Sequence, residues 1–139
     1  RARSVYATTA RAAGQTARPP LLAQALVAFD SGQASLVFDG ATRYGARDST
    51  SVVGANGVAC SLGPDLGHQA VELYTEAGVA RPQLKGSWFN DGFAGAMGEL
   101  LCAIEDDREP LNSARGNLLS LKLCQAALRS VRTGALAAI

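Results

Sequence analysis

The sequence has few of the residues from which metal sites and disulfide frameworks are built. Its 139 residues include one histidine, His68, and three cysteines, Cys60, Cys102 and Cys124, with no Cys-x-x-Cys spacing. A structural zinc site needs several such ligands at short spacing, and a disulfide framework uses an even number of cysteines. We therefore expect no metal site and three buried, reduced thiols, which is typical of a cytoplasmic protein.

An excess of charge and a long apolar run are both missing. The 13 basic and 12 acidic residues leave a net charge of +1, and the basic residues form no run. Proteins that bind nucleic acid or membrane surfaces through bulk charge carry a clear basic excess. A membrane-spanning helix needs about 20 apolar residues in succession, and the sequence has no such stretch. We expect neither a nucleic-acid partner nor a membrane partner.

The composition is that of a chain that can form a hydrophobic core. Hydrophobic residues make up 47% of the sequence, and a chain of this length is typically one domain. We therefore expect a single α+β domain over residues 1–139. The sequence begins with Arg1 and not with Met, so we treat it as a piece of a longer protein.

The first two thirds of the chain show the pattern of antiparallel strands. After a short strand at residues 3–8, three pairs of β-rich runs are each joined by a short link that contains glycine. Such links are typical of hairpins, because glycine adopts the positive φ that tight turns need. The predicted pairs are residues 21–29 with 34–39, 49–54 with 58–62, and 70–75 with 79–84.

The last third changes to a helical period. Five apolar residues predict one helix, with Asp91 as its N-cap and Pro110 after its end; they are Phe93, Met97, Leu100, Leu101 and Ile104. A second helix is predicted from Ser113 to Gly134, with an apolar stripe of Leu118, Leu121, Cys124, Leu128 and Val131. Strands followed by helices indicate the α+β class, with a largely antiparallel sheet covered on one face by helices.

The strand at residues 21–29 is apolar on both faces. One face carries Ala23, Ala25, Val27 and Phe29, and the opposite face carries Leu22, Leu26 and Ala28, broken only by Gln24. Two helices cover only one face of a sheet, and a half-solvated strand would alternate cleanly between apolar and polar residues. We therefore predict that the open face forms the interface of a homo-oligomer, either a dimer or a tetramer.

Two polar segments are candidates for binding a small molecule. Arg43, Tyr44 and Arg47 lie in one link between strands; arginine binds carboxylates and phosphates, and tyrosine suits a sugar or a polyol. The alternative is an ordinary charged loop. Asn90 follows an aromatic pair at a strand-to-helix junction, where core aromatics and a helix cap are the alternative.

Two other features indicate no chemistry of their own. His68 lies in a turn without a nucleophile motif, so a hydrolase centred on it is less favoured than a surface histidine. Gly92, Gly95 and Gly98 are three residues apart on a predicted helix, which does not match the Gly-x-Gly-x-x-Gly turn that holds a dinucleotide. We interpret them as positions of close helix–sheet packing.

Several segments together resemble the carboxy-terminal half of the Gfo/Idh/MocA oxidoreductases, the relatives of glucose–fructose oxidoreductase and inositol dehydrogenase. The similarity is carried by the order and spacing of Gly32-Gln33-Ala34-Ser35-Leu36-Val37-Phe38, Val52-Val53-Gly54-Ala55-Asn56-Gly57, the run from Trp88 to Glu105, and the run from Arg108 to Arg115. The resemblance covers nearly the whole chain.

The resemblance implies a domain of an NAD(P)-dependent dehydrogenase that acts on a sugar, a polyol or a related molecule. It implies that an amino-terminal Rossmann domain holds the cofactor and that a Glu-Lys-Pro lysine, with a downstream Asp and His, takes the proton. None of these motifs is in this sequence, so we assign no catalytic or cofactor-binding residue here and expect the chain alone to be inactive. Tyr44 matches the family segment that reaches the substrate. The alternative is a non-catalytic, dimeric binding or scaffold module that has the same fold.

Overall fold

The computed structural model describes residues 1–65 and 67–139. The described residues form eight strands and two helices, in the order β1 (Ala2–Ala10), β2 (Leu22–Phe29), β3 (Gln33–Asp39), β4 (Asp48–Gly54), β5 (Gly57–Asp65), β6 (His68–Thr75), β7 (Gly78–Ala80), α1 (Asn90–Glu105), α2 (Ala114–Thr133) and β8 (Ala137–Ala138). The predicted α+β class and the antiparallel pairing of the three hairpins are confirmed. The strands form two sheets, however, in the orders β3-β2-β1-β8 and β4-β5-β6-β7.

The chain divides into two compact units. The first unit comprises Arg1–Thr42 and Leu111–Ile139, and the second unit comprises Arg43–Pro110. The first sheet and α2 belong to the first unit, whereas the second sheet and α1 belong to the second. That residues 1–139 are one domain in the functional sense stays a prediction.

The core of the first unit lies between α2 and one face of its sheet. In the antiparallel register Val5 is opposite Val27 and Ala7 is opposite Ala25, so these side chains point to the same face. That face is buried against Ala126 of α2. The helix begins as predicted, because the Ser113 hydroxyl accepts a hydrogen bond from the Gly116 N–H at 3.1 Å. It ends as predicted at Gly134, which adopts a φ of +65°.

The buried face of α2 is not the one that the apolar stripe predicts. Leu118, Leu121 and Leu128 are each more than half exposed, and Cys124 is exposed as well. Ala126 and Ser130 are fully buried instead, and of the predicted stripe only Val131 packs against the core. Small side chains on the inner face let the helix backbone approach the sheet closely, and this outweighs the number of leucines on the other face.

The sheet face opposite α2 is exposed, and it carries apolar side chains among polar ones such as Gln24 and Ser35. Leu26 and Val37 are 61% and 72% exposed, and Tyr6 beside them is 41% exposed. The sequence-based assignment of Leu26 to the open face is therefore correct. That this face forms an oligomer interface stays a prediction.

Three strands of the second unit, β4, β5 and β6, are longer than the sequence predicts, and the turns of its two hairpins are one residue shorter. The turn of its first hairpin is Ala55-Asn56, and Gly57 already begins β5 with a φ of +154°. β7 ends at Ala80 instead of residue 84. A β-carbon at Gly57 would lie 2.2 Å from the Tyr74 carbonyl oxygen, so the glycine permits close approach of β6 as well as the turn.

Helix α1 differs from its prediction in its cap and in its exposed face. Its N-cap is Phe89, without a side-chain bond, and the predicted cap Asp91 lies in the first turn, where its carboxylate accepts the Ser87 N–H at 2.5 Å. Its predicted apolar stripe is exposed, with Met97 at 56% and Ile104 at 69%. β-Carbons at Gly92, Gly95 and Gly98 would meet nothing within 4 Å, so the predicted helix–sheet packing at these glycines is wrong.

Candidate functional site

The predicted binding residues lie in two places of the second unit. Arg43, Tyr44 and Arg47 are in the loop between β3 and β4, and Asn90 is the first residue of α1. Tyr44 is 90% exposed, as expected of a side chain in a surface loop.

Of the predicted residues in that loop, only Arg47 lines a small cavity. The cavity has a volume of about 370 Å³ and is lined by Gly45, Ala46 and Arg47 on one side and by residues 62–64 of β5 on the other. Arg47 therefore faces a concave surface, whereas Arg43, Tyr44 and Asn90 are not among the lining residues. The structure brings one of the four candidates to this cavity, and the binding roles of all four stay predictions.

A larger cavity, which we call the Trp88 cavity, is also lined by residues 62–64. Its volume is about 660 Å³, and it is lined by the end of β5, the start of β6 and the irregular segment 84–88. His68, Lys85 and Trp88 are its chemically distinctive lining residues. Sequence patterns did not bring these three together, because their proximity depends on the β5–β6 pairing and on the path of segment 84–88.

His68 in this cavity is held by a carboxylate. Its Nδ1 lies 2.9 Å and 3.0 Å from the two carboxylate oxygens of Asp65, and Oδ1 of Asp65 also accepts the Gly67 N–H at 2.7 Å. The hydrogen bond to His68 is the main reason why the pKa of Asp65 lies below its usual value. Since an ionised carboxylate only accepts hydrogen bonds, Nδ1 carries a hydrogen and Nε2 is the free ring nitrogen. The histidine is on the surface, as predicted, but it begins a strand.

Gln69, the residue after His68 in β6, joins β6 to β4 and β5 through side-chain hydrogen bonds. Its Nε2 donates to Oδ2 of Asp48 at 3.0 Å and to the Asp65 carbonyl at 2.6 Å, and its Oε1 accepts from the Ser61 hydroxyl at 3.1 Å. All hydrogen-bonding atoms of the amide are thus engaged within the protein. Gln69 fixes the geometry of the cavity wall and is not available to a ligand. Nothing in the sequence pattern singles it out.

The cysteines are free, but their environment differs from the prediction. Cys60 is half-buried, and Cys102 and Cys124 are exposed; two of the three thiols predicted to be buried are therefore on the surface. Cys124 belongs to the apolar stripe of α2 that the sequence pattern wrongly predicts to be the inner face, whereas Cys102 lies outside the predicted stripe of α1. In the part of the chain that the structure describes, no three His, Cys, Asp or Glu side chains are placed to hold a metal ion.

The backbone is similar to three solved structures over essentially its whole length. It matches a Thermotoga maritima protein described as an oxidoreductase, with a TM-score of 0.79, 21% identity and 100% of the chain covered. It also matches the WlbA dehydrogenase of Bordetella pertussis, solved with NADH and UDP-GlcNAcA, with a TM-score of 0.73, 21% identity and 99% coverage. The third is the aldose-aldose oxidoreductase of Caulobacter crescentus, solved with glycerol, with a TM-score of 0.75, 20% identity and 99% coverage.

The fold is one found in oxidoreductases. The fold expected from the resemblance to the Gfo/Idh/MocA oxidoreductases is thereby confirmed. The chain spans about two fifths of the length of these oxidoreductases, which is 41%, 40% and 41% respectively. No family model and no curated protein sequence matches the chain. Within residues 1–65 and 67–139, neither helix is both long enough and apolar enough to cross a membrane.

Proposed function

We propose that this chain is the carboxy-terminal domain of an NAD(P)-dependent oxidoreductase of the Gfo/Idh/MocA family that acts on a sugar, a polyol or a related small molecule. The observation that carries the proposal is the match of 99–100% of the chain to about two fifths of three oxidoreductase structures. In this proposal the domain contributes a wall of the substrate pocket and an oligomer interface, and the protein works in the cytoplasm.

The residues of this chain do not fit a dinucleotide site. Gly92, Gly95 and Gly98 lie inside α1, whereas a pyrophosphate is held by a glycine-rich turn between a strand and a helix. We therefore place the NAD(P) site in the part of the oxidoreductase outside this chain. When bound there, the cofactor supplies the hydride chemistry, and the residues of this domain bind and orient the substrate.

A binding measurement and an activity measurement test the proposal. Calorimetry on the 139-residue chain with NAD and with NADP should show no binding, and micromolar affinity for either would contradict the placement of the cofactor site. The longer protein that contains this chain should reduce NAD or NADP in the presence of at least one sugar or polyol, followed by absorbance of the reduced nicotinamide. A parent protein that binds neither cofactor would instead support the binding or scaffold module.

Tyr44 is the residue whose substitution tests the substrate role of the loop. In the longer protein, Tyr44→Phe should lower kcat/KM by about threefold to tenfold, because one hydrogen bond to a substrate hydroxyl contributes roughly 0.5–1.5 kcal/mol. Cofactor affinity should stay the same. Tyr74→Phe is the matched control, since the Tyr74 hydroxyl donates to Glu72 within the second unit. Equal kcat/KM values for the wild type and Tyr44→Phe would leave Tyr44 an ordinary loop residue.

A further inference from the structure

β3 is an edge strand of the first sheet that lacks the usual protection against further pairing. Among the residues that the structure describes, no strand pairs with its outer edge. β3 is seven residues long, its register with β2 is regular, and its only charge is Asp39 at its end. Proteins usually protect an edge with charged residues, proline, a bulge or a very short strand. The edge of β3 is therefore open to a further strand.

The other edges of the two sheets differ from that of β3. β8 has two residues, and β7 has three and is followed by Arg81-Pro82, where the proline has no N–H to donate. β4 is as long as β3, but residues 49–51 in its interior are Ser-Thr-Ser. A strand added to β4 would cover little apolar surface. β3 is the edge at which an added strand covers the most.

The backbone of β3 presents alternate residues to its free edge. The Phe29 N–H donates to the Gly32 carbonyl at 3.0 Å, and the Gly40 N–H donates to the Leu21 carbonyl at 2.8 Å. These two bonds flank the β2–β3 ladder and fix which of its pairs are hydrogen-bonded, because the two kinds of pair alternate. The N–H and C=O groups that point to the free edge are those of residues 33, 35, 37 and 39.

Two apolar side chains of β3 are exposed on the α2 side of the sheet. Ala34 and Leu36 are opposite Val27 and Ala25, which belong to the core face beneath α2. Phe38 follows on the same face, because side chains alternate along a strand. Leu36 is 36% exposed and Phe38 is 60% exposed. The predicted pairing of open faces, on the opposite side of the sheet, leaves both side chains in water.

We propose that β3 pairs antiparallel with β3 of a second copy of this chain, about a two-fold axis at Leu36. In this register the two Leu36 side chains lie opposite each other, and Phe38 lies opposite the partner's Ala34. These are non-hydrogen-bonded pairs, in which the side chains approach most closely. A large side chain thus lies against a small one, and both exposed apolar residues are covered.

The remaining pairs of this register are also complementary. Ser35 lies opposite the partner's Val37, and Asp39 lies opposite the partner's Gln33, so no like charges meet. These four positions are the ones that point to the free edge, so each pair exchanges two backbone hydrogen bonds. The strand is complementary to itself, as an isologous two-fold contact requires. This self-complementarity makes a second copy the occupant of the edge.

The β3 contact and the predicted pairing of open faces use different two-fold axes. The β3 axis is perpendicular to the sheet, whereas an axis that stacks two sheets face to face lies parallel to them. Two perpendicular axes that intersect generate a closed tetramer. We therefore expect four copies where both contacts form and two where β3 alone pairs.

Disulfide trapping tests the β3 axis directly. In a background of Cys60→Ser, Cys102→Ser and Cys124→Ser, Leu36→Cys should form a covalent dimer on mild oxidation. The Cα atoms of a non-hydrogen-bonded pair are about 4.5 Å apart, within the range of about 4.4–6.8 Å that a disulfide bridges. Ser51→Cys, in the middle of β4, is the matched control and should give no covalent dimer. Equal yields in the two variants, or no cross-link in Leu36→Cys, would overturn the proposal.

Two serine-to-proline variants test the contact without a cross-link. Ser35 presents its N–H to the free edge of β3, and Ser51 does so on β4, three residues before the Gly54–Gly57 pair that closes its hairpin. Proline at such a position leaves the internal ladder intact.

Ser35→Pro should halve the mass measured by light scattering at tens of micromolar, from four copies to two or from two to one. Ser51→Pro should keep the mass of the wild type, and circular dichroism checks that both variants are folded. A Ser35→Pro chain with the mass of the wild type, or a monomeric wild type, would show that β3 does not pair. If Ser35→Pro does not fold, the yield of the Leu36→Cys dimer decides.

Discussion

Gly63 stands where the second unit has no room for a side chain. A β-carbon there would lie 1.9 Å from the His68 carbonyl oxygen and 2.9 Å from Nε2 of Gln69. The missing side chain thus lets β5 and β6 converge at the wall of the Trp88 cavity, and the glycine is a residue of the cavity as much as Trp88 is.

Gly63→Ala should therefore lower the free energy of unfolding by about 1–3 kcal/mol, since the neighbour that must move is backbone. Gly95→Ala in α1 is the control, because a β-carbon there meets nothing within 4 Å; it should be neutral or stabilising by up to about 1 kcal/mol. Urea unfolding of the two variants measures both effects. Equal midpoints for Gly63→Ala and the wild type would show that the strands separate without cost.

The ionisation of Glu72 makes the stability of the second unit depend on pH. The hydrogen bond from the Tyr74 hydroxyl, followed by that from Arg81 at 2.6 Å, lowers the pKa of Glu72 in the folded chain. A carboxyl whose pKa is lowered on folding stabilises the fold above its unfolded pKa of about 4.3. This contribution is lost as the pH falls through the lower, folded value.

The measurement is the urea midpoint between neutral pH and the acid range for the wild type and Glu72→Gln. The difference between the two proteins should be constant above the ordinary glutamate pKa and should shrink below it. Glu76→Gln, in the turn that follows β6, is the control for a general loss of negative charge. A difference that does not change with pH would exclude ionisation of Glu72 as its source.

At the scale of single residues, sequence patterns predict the local structure at a position, such as a helix cap, better than they predict which residues it contacts. The cap Ser113 and the C-terminal Gly134 were predicted correctly, because a cap is decided within one turn of helix. The contacts of Gln69 and the pairing of His68 with Asp65 were not predicted, since they depend on the β5–β6 register. The grouping of Lys85 with Trp88 depends on an irregular segment, for which the sequence has no periodic signal.

Helix α2 shows the same limit at the scale of an element. Its length and both of its ends follow from local signals, but its inner face is made of small residues that the leucine stripe does not reveal. Ser130 is fully buried; its hydroxyl accepts the Ala7 N–H at 2.9 Å and donates to the Ala135 carbonyl at 2.7 Å. One hydroxyl thus joins α2 to β1 and to the segment that follows the helix.

Ser130→Ala should cost about 1–3 kcal/mol of unfolding free energy, because it leaves a buried N–H and a carbonyl without their partner. Ser120→Ala, at an exposed position of the same helix, should change stability by less than about 0.5 kcal/mol. Thermal unfolding compares the two. A Ser130→Ala protein as stable as the wild type would mean that water or a small shift of the helix replaces both bonds.

At the scale of the whole molecule, the open face of the first sheet leads to a prediction about assembly. Leu26 and Val37 are 61% and 72% exposed on one continuous face, and proteins rarely leave large apolar patches in water. Pairing two identical sheets face to face would cover both patches with one two-fold axis. We expect a dimer, and a tetramer if a second surface also pairs.

Light scattering at tens of micromolar tests this. The unmodified chain should have the mass of a dimer or a tetramer, and Leu26→Lys should reduce that mass while circular dichroism stays that of the folded chain. Val53→Lys is the control, because Val53 is 77% exposed on β4 of the second unit and should leave the mass unchanged. A monomeric wild-type chain would contradict the interface.

The first unit consists of two segments that are far apart in the sequence. This separation affects the order in which the two units can fold during translation. Ala7 and its partner Ser130 are 123 positions apart, and all of the second unit, Arg43–Pro110, is translated between them. At about 5–20 residues per second, the ribosome needs roughly 6–25 s to pass from one partner to the other. During this time β1–β3 have no helix to cover Val5 and Val27, and the sequence of the second unit is complete about 20 residues before Ser130 is reached. The unit that begins first is therefore finished last, and a chaperone that acts on the nascent chain would find its binding surface on β1–β3.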